Sequence, residues 1–255
     1  MKRIVLVLLL MVGITACEST YHPEVIGHRG ARGHVAENTL PSIQKALDLG
    51  VDGIEIDIFR CATGELVVFH DNTLEKLTDS EGYIERLPLD SLRLVNVLGG
   101  YQIPTLDEVL DLIDGQVRLN IELKGTQTAQ LTHDLLQTYF EKPNSQWIAN
   151  NILISSFNWE ELVLFYQVNK DIPIAVLTED DPLDAIPTAK RLQAVAINPD
   201  YKTLTEANVS KIHSEGLAIY PWTVNEPSAI AAMKNLRVEG IITDYPERIF
   251  TENQK

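Results

Sequence analysis

The chain alternates short apolar runs with longer amphipathic stretches over most of its 255 residues. Continuous Val/Ile-rich strands that alternate with helices are typical of a parallel sheet covered by helices. The predicted strands are residues 25–27, 53–59, 66–69, 118–123, 152–157, 172–177, 194–197, 217–224 and 240–243, and the predicted helices are residues 39–49, 106–113, 129–140, 159–168, 184–192, 203–214 and 226–236. Strand–helix units in this number and length predict an α/β fold, a closed (β/α)8 TIM barrel.

The apolar runs outnumber the strands of such a barrel by one. Only residues 60–65 separate the second run from the third, which is too short for a parallel crossover. We therefore expect the third run to return as the second arm of a hairpin and to bring His70 back to the barrel mouth. Residues 75–104 contain no long apolar run. We expect them to form a small inserted segment over the mouth, without a core of their own.

The formal net charge of the chain is −15 at pH 7. Binding of nucleic acid requires a basic face, so this charge argues against a nucleic-acid partner. It argues equally against broad electrostatic docking on anionic membranes. An anionic small molecule would have to be attracted by a local positive patch, against the field of the whole chain.

The amino-terminal residues read as an export signal. A basic start precedes an apolar run over residues 4–12 that is short for a transmembrane helix. Ile14-Thr15-Ala16 then leads into Cys17, which resembles the lipobox of bacterial lipoproteins; the alternative is an ordinary cleavable signal in which Cys17 is incidental. We expect a signal peptide over residues 1–16, a tether over residues 17–24 and a folded domain over residues 25–251. The protein would then lie on the periplasmic side of a bacterial cell envelope and touch the membrane only through its lipid.

Charged and imidazole side chains recur where the predicted strands end. Burying such groups on strands costs several kcal/mol unless each is paired or holds a metal. Function in a TIM barrel concentrates at the carboxyl ends of the strands, where these residues fall. They predict one site assembled from His28, Arg29, Glu55, Asp57, His70, Glu122 and Lys124.

Three of these residues are acids with the chemistry of a metal site. Glu55 and Asp57 are two residues apart and share one face of their strand, and Glu122 lies on the corresponding face of another. Carboxylate oxygens suit Ca²⁺ or Mg²⁺, whereas zinc favours His or Cys. The alternative is that the acids are paired inside the barrel with cations, for which the candidates are Arg29, Arg118 and Lys124.

The remaining candidates suit the cleavage of a phosphate ester. Two histidines that titrate near neutrality can share the roles of base and acid. Arg29 can bind phosphate in a bidentate manner and Lys124 can add a point charge. Trp222 lies on a strand face that could reach the same mouth. Glu37 and Asn38 precede the first helix. Thr39 or Asn38 could cap this helix, and Glu37 and Asn38 could also hold Arg29 or a metal ligand in place.

Several short motifs together resemble the signature of the glycerophosphodiester phosphodiesterase family. The match runs from about Val25 to Phe250, and its ordered set is far more specific than any one motif. The motifs are His28-Arg29-Gly30, Glu37-Asn38-Thr39, Glu55-Ile56-Asp57, His70-Asp71, Ile121-Glu122-Leu123-Lys124, Pro221-Trp222-Thr223-Val224-Asn225 and Gly240-Ile241-Ile242-Thr243-Asp244-Tyr245-Pro246.

The resemblance implies a TIM barrel with a small inserted segment. It implies a divalent cation held by Glu55, Asp57 and Glu122, with His28 and His70 as the acid/base pair. It implies Arg29 and Lys124 as phosphate ligands, and Trp222 would pack on the glycerol or the head group.

The implied reaction converts a glycerophosphodiester to glycerol 3-phosphate and an alcohol. The resemblance suggests a substrate hydroxyl as nucleophile, through a cyclic phosphate, and direct attack by water stays open. Two alternatives are a lysophospholipase D-like activity on the same site and a lipoprotein that binds phosphodiesters without turnover. The head group, the choice between Ca²⁺ and Mg²⁺, and the oligomeric state also stay open.

Overall fold

The computed structural model describes residues 21–250. Predictions for the signal peptide and for Cys17 fall outside these residues. The described chain forms a barrel of parallel strands with helices around it, which confirms the TIM-barrel prediction. The barrel strands are β1 (Glu24–His28), β2 (Gly53–Arg60), β4 (Arg118–Leu123), β5 (Ile152–Ser156), β6 (Ile174–Thr178), β7 (Ala196–Pro199), β8 (Ala218–Ile219) and β9 (Gly240–Thr243), and β3 (Leu66–Val68) lies outside the barrel.

The barrel strands follow one another in the order β8-β7-β6-β5-β4-β2-β1-β9. The circle closes between β9 and the segment after β8, where Val224 N donates to Ile242 O at 2.9 Å and Ile242 N donates to Pro221 O at 3.0 Å. The prediction of a strand over residues 217–224 was therefore too long. Pro221 has no N–H to donate to the ladder, and regular pairing stops just before it, at Ile219.

Helices cover the outside of the barrel. These helices are α1 (Leu40–Leu49), α3 (Leu106–Ile113), α4 (Ala129–Phe140), α5 (Trp159–Val168), α6 (Ile186–Arg191), α7 (Glu206–Ser214) and α8 (Pro227–Leu236), whereas the short α2 (Leu89–Leu92) lies in the inserted segment. The predicted helix over residues 203–214 starts later than expected because Thr205 and Asn208 form a capping box at its start. The predicted helix over residues 184–192 begins as a 3-10 turn over Pro182–Ala185. Within residues 21–250, no helix is both long and apolar enough to cross a bilayer.

A small apolar layer fills the barrel interior beneath the mouth. It consists of Ile26, Leu153, Ala175, Ala196, Tyr220 and Ile242. Because side chains alternate along a strand, the residues two positions further on also point inward, one layer closer to the mouth. They are His28, Ser155, Leu177, Asn198, Trp222 and Asp244. The apolar layer is thus the floor on which the polar residues of the mouth stand.

The hairpin prediction is confirmed, because β3 pairs antiparallel with the outer end of β2. The prediction that the following segment has no core was wrong. Residues of the hairpin and of the inserted segment form a separate buried cluster: Phe59, Cys61, Val67, Phe69, Leu74, Ile84, Leu92, Val95, Val97 and Ile103. Outside the hairpin, its apolar residues are scattered singly among turns and short helices, so no run or period over residues 75–104 reveals that they pack against the hairpin.

Candidate active site

Three buried carboxylates meet at the mouth. Glu55, Asp57 and Glu122 are 5 %, 1 % and 8 % exposed, and one oxygen of each lies within 4.8 Å of the others. The register between β2 and β4 places Asp57 opposite Glu122, and parallel neighbours in register point to the same side of the sheet. The three acids that were predicted to share one side of the sheet are therefore adjacent in space.

Burial and mutual repulsion disfavour full ionisation of this cluster. Burial, then the charge of Asp57, raises the pKa of Glu122 to about 8. Burial, then the charges of Asp57 and Glu122, raises the pKa of Glu55 well above its usual value. Burial also opposes ionisation of Asp57, but Arg29, His70 and Lys124 more than offset it and lower its pKa. Oxygen donors that crowd together in this way fit a hard divalent cation, because its charge would remove the repulsion.

Arg29 follows β1 and lies beside the acids. Its guanidinium pairs with Glu37, and its Nε lies 3.2 Å from Asp57 Oδ2. The Nε–H group is nevertheless buried without a hydrogen-bond partner in the described chain. The backbone at Arg29 has φ of 50°, so the chain turns immediately after the strand. This turn lets Arg29 N donate to Glu55 Oε2 at 3.0 Å.

Lys124 links the acids to His70. Its Nζ lies 3.3 Å from Glu122 Oε1 and 3.8 Å from Asp57 Oδ1, and donates to His70 Nε2 at 3.1 Å. Arg118, the third candidate partner of the acids, lies at the opposite end of β4 and pairs with Glu24 at 2.7 Å. The internal ion pairs of the acids are thus made by Arg29 and Lys124, and Arg118 takes no part in them.

The loop before α1 supports both charged groups. Thr39 caps the helix, since its side chain accepts from Ser42 N. Glu37 instead binds Arg29 and accepts from Arg32 Nε at 2.6 Å. Asn38 Nδ2 donates to Asp57 Oδ2 at 2.9 Å. In the Glu37-Asn38-Thr39 motif, Thr39 therefore caps the helix, and Glu37 and Asn38 contact the site.

Each histidine is oriented by a carboxylate. His28 Nδ1 donates to Asp244 Oδ1 at 2.7 Å, and His70 Nδ1 donates to Asp71 Oδ1 at 2.6 Å. A carboxylate accepts, so the proton lies on Nδ1 and the lone pair on Nε2. Burial, more than any other influence, lowers the pKa of both imidazoles below 6.5. Both shifts favour the neutral imidazole, so a histidine that acts as a general acid must first take up a proton.

Asp244 is a site residue that the sequence reasoning did not single out. It follows β9 and is itself held by Asn225, whose Nδ2 donates to Asp244 Oδ2 at 2.7 Å. His28 and Asp244 are 216 residues apart and meet only because β1 pairs with β9. The available signal was positional: Asp244 stands just after an apolar strand, like the acids that were selected.

One cavity joins these groups. It measures about 400 Å³ and is lined by His28, Arg29, Glu55, His70, Glu122 and Lys124 together with residues from the opposite side of the barrel. On that opposite side lie Phe157, Leu177 and Trp222. Trp222 therefore reaches the mouth, with its Nε1 donating to Asn198 O at 2.8 Å.

A (β/α)8 barrel whose mouth holds an arginine, a lysine, two imidazoles oriented by carboxylates and a cluster of acids defines a hydrolase for anionic esters. Residues 28–248 match the family model described as Glycerophosphoryl diester phosphodiesterase family. The chain belongs to this family, and its activity is the hydrolysis of glycerophosphodiesters.

Known relatives span nearly the whole chain. A Bacillus altitudinis protein named glycerophosphodiester phosphodiesterase is 32 % identical over 236 residues, covering 88 % of this chain and 96 % of the relative. A protein of the same name from Caldanaerobacter subterraneus subsp. tengcongensis is 31 % identical over 233 residues, covering 88 % and 95 %. Among solved structures, an Oleispira antarctica phosphodiesterase in complex with the product sn-glycerol-3-phosphate superimposes with a TM-score of 0.81 at 27 % identity, covering 89 % of this chain and 95 % of the other.

Proposed function

We propose that this protein converts glycerophosphodiesters to glycerol 3-phosphate and an alcohol, with a divalent cation held by Glu55, Asp57 and Glu122. The observation that carries the proposal is the convergence of these three buried acids, within 4.8 Å of one another, beside two oriented imidazoles. The product bound by the Oleispira antarctica relative supports glycerol 3-phosphate as the product here.

Arg29 and Lys124 would bind the phosphate. The buried Nε–H of Arg29 lies beside Asp57 but makes no hydrogen bond in the described chain, which is costly, and a phosphate oxygen would satisfy it. Lys124 Nζ donates to His70 Nε2 in the present arrangement. A phosphate that takes over this ammonium group frees the lone pair of His70 for proton transfer. The cation, when bound, stabilises the negative charge that develops on the phosphorus oxygens.

His28 and His70 would divide the proton transfers. One neutral imidazole accepts the proton of the nucleophile through Nε2. The other first takes up a proton from solvent at Nε2 and then donates it to the oxygen of the leaving alcohol as its bond to phosphorus breaks, while the base returns its proton to solvent. The net reaction adds one water molecule, with oxygen on phosphorus and hydrogen on the alcohol. Asp244 and Asp71 keep the Nδ1 protons in place, so both Nε2 atoms remain available for these transfers.

The decisive experiment is product analysis on a panel of glycerophosphodiesters, with a chelator and with Ca²⁺ or Mg²⁺ restored. We expect glycerol 3-phosphate only when the cation is present. His28→Asn and His70→Asn should each abolish turnover, whereas His133→Asn, at a histidine bound to Asn169 away from the mouth, should retain it. Full turnover in a chelator would contradict the metal assignment.

A lysophospholipase D-like activity is a second candidate because an additional groove adjoins the mouth. The groove measures about 480 Å³, shares Arg32 with the central cavity, and includes Leu77, Val97, Leu98 and Tyr101 of the inserted segment. An acyl chain could lie there while the head group occupies the mouth. Leu98→Ser should then lower turnover of a lysophospholipid relative to its deacylated diester. Leu94→Ser is the matched control, because Leu94 is exposed on the same segment outside the groove.

The export and lipid anchor that the sequence suggests belong to the same proposal. Support comes from the lipobox-like residues before Cys17 and from the position of Glu24 at the start of β1. The amino ends of the strands lie opposite the mouth, so an anchor there leaves the mouth open to soluble diesters. Labelled palmitate should be incorporated by the wild-type protein and not by Cys17→Ser. Equal incorporation by both would contradict lipidation at Cys17.

A further inference from the structure

The cavity at the mouth has two chemically different halves. Its charged half lies at the ends of β1, β2 and β4 and includes His70 after β3, and it carries the acids, imidazoles and cations described above. The opposite half lies at the ends of β5, β6 and β8, where the lining residues are Phe157, Leu177, Glu179 and Trp222. The first half accounts for an anionic phosphate and its reaction. The second half has no part in that chemistry.

The aromatic side chains of the second half are held in a fixed arrangement. The rings of Phe157 and Trp222 meet edge to face at 90°, with centroids 5.3 Å apart. Trp222 is anchored by its indole hydrogen bond to Asn198 O and by its backbone N, which donates to Pro199 O at 3.1 Å. Phe157 remains 38 % exposed at the rim. A bound group can therefore cover aromatic surface without rearranging it.

Glu179 adds a negative charge to this aromatic wall. It comes directly after β6, two residues beyond the inward-facing Leu177, and lines the same cavity. Within residues 21–250, its carboxylate has no hydrogen bond or ion pair with another side chain. An acid at this place repels the phosphate of an anionic substrate unless the substrate also brings a positive group.

Together these features favour a ligand that carries a negative group at one end and a positive group at the other. Aromatic faces attract ammonium groups, and quaternary ammonium ligands are commonly bound by aromatic side chains; a nearby carboxylate adds Coulomb attraction for the same cation. The charged half binds the phosphate, and the aromatic half suits a cationic group at the other end of the same cavity of about 400 Å³. A zwitterionic diester has this distribution of charge, whereas glycerol or inositol head groups do not.

We infer that Glu179, Phe157 and Trp222 form a subsite for a cationic head group, so that ammonium-bearing diesters are the preferred substrates. The inference rests on the proposed function and names its substrate class. Primary and quaternary ammonium groups share the chemistry that the subsite recognises. Only a quaternary group gains fully from the aromatic wall, since it lacks N–H donors and presents methyl groups to the rings.

The test compares kcat/KM for glycerophosphocholine, glycerophosphoethanolamine and glycerophosphoglycerol in the full chain with its cation. The quantity measured is the ratio of kcat/KM for each ammonium ester to that for the glycerol ester. Glu179→Gln should lower both ratios by about 2- to 5-fold, the range for an exposed charge interaction. Phe157→Leu should lower the choline ratio more than the ethanolamine ratio. Asp180→Asn is the matched control, since Asp180 is the neighbouring exposed acid and does not line the cavity.

The outcomes separate this inference from the proposed function. Unchanged ratios in Glu179→Gln, with all three diesters still cleaved, would overturn the cationic subsite and leave the hydrolase intact. An equal change in Asp180→Asn would overturn it as well, because the effect would then arise from the general field of the acidic rim. If the wild-type protein cleaves none of the three diesters, the proposed function fails, and the subsite fails with it.

Discussion

Replacing Glu122 by Gln should stabilise the metal-free protein, and the gain should grow with pH. In the folded protein, burial and the charge of Asp57 raise the pKa of Glu122 from 4.5 to about 8. Between these values the folded state binds a proton that the unfolded state has lost. The free energy of unfolding of the metal-free wild type therefore falls as the pH rises from about 4.5 to about 8. A neutral amide at position 122 has no proton to lose over this range.

The size of the effect follows from the difference in pKa. At about 1.4 kcal/mol for each tenfold change in proton affinity, the difference corresponds to at most roughly 5 kcal/mol at pH 8 and to less than about 1 kcal/mol at pH 5. Coupling to Asp57 and Lys124 shares this energy among several groups, so we expect a few kcal/mol in practice. Any cost of the buried amide that does not depend on pH cancels when the two pH values are compared.

Urea unfolding in the presence of a chelator, at pH 5, 6, 7 and 8, measures this difference. Saturating Ca²⁺ or Mg²⁺ should reverse the order at pH 8, because a cation that binds only the folded state stabilises the wild type more than a variant lacking one ligand. Glu160→Gln, at an exposed acid, controls for loss of a surface charge. A stability difference between Glu122→Gln and wild type that is the same at pH 5 and pH 8 would refute the argument that burial and the charge of Asp57 raise the pKa of Glu122.

Three further predictions concern other parts of the molecule. Glu161→Gln should lower the free energy of unfolding by about 2–4 kcal/mol in urea titrations, because its buried carboxylate accepts four hydrogen bonds at the start of α4; a loss no larger than that of Glu160→Gln would contradict this role. Asp244→Asn should lower kcat by at least about 10-fold with little change in KM, because the amide permits the wrong imidazole tautomer of His28; an unchanged kcat in steady-state assays would rule out the orienting role. Arg29→Lys should raise KM for diesters several-fold by losing bidentate contact, whereas Arg118→Lys at the opposite end should not; equal effects of the two changes would contradict phosphate binding by Arg29.

Much of the fold could be predicted because strands and helices each have a characteristic period of apolar residues in the sequence. The hairpin of β2 and β3 followed from a connection too short for a crossover. Glu55, Asp57 and Glu122 could be grouped because alternation along a strand is a local rule and parallel strands end at one edge of the barrel. The predicted ends of an element were wrong where contacts distant in sequence decide them. The strand predicted over residues 217–224, for example, is regular only over β8, because its pairing ends before Pro221.

The amino-acid sequence by itself determined the barrel, the charged residues at its mouth and the family. These properties depend on residue type and spacing along the chain, which are present before folding. Only the tertiary structure decided that Asp244 orients His28, that the inserted segment packs with the hairpin into a separate core, and that Glu179, Phe157 and Trp222 line one cavity. Such contacts join residues that are far apart in the chain and meet only when the barrel closes. Local periodicity in the sequence does not show which distant residues will become neighbours.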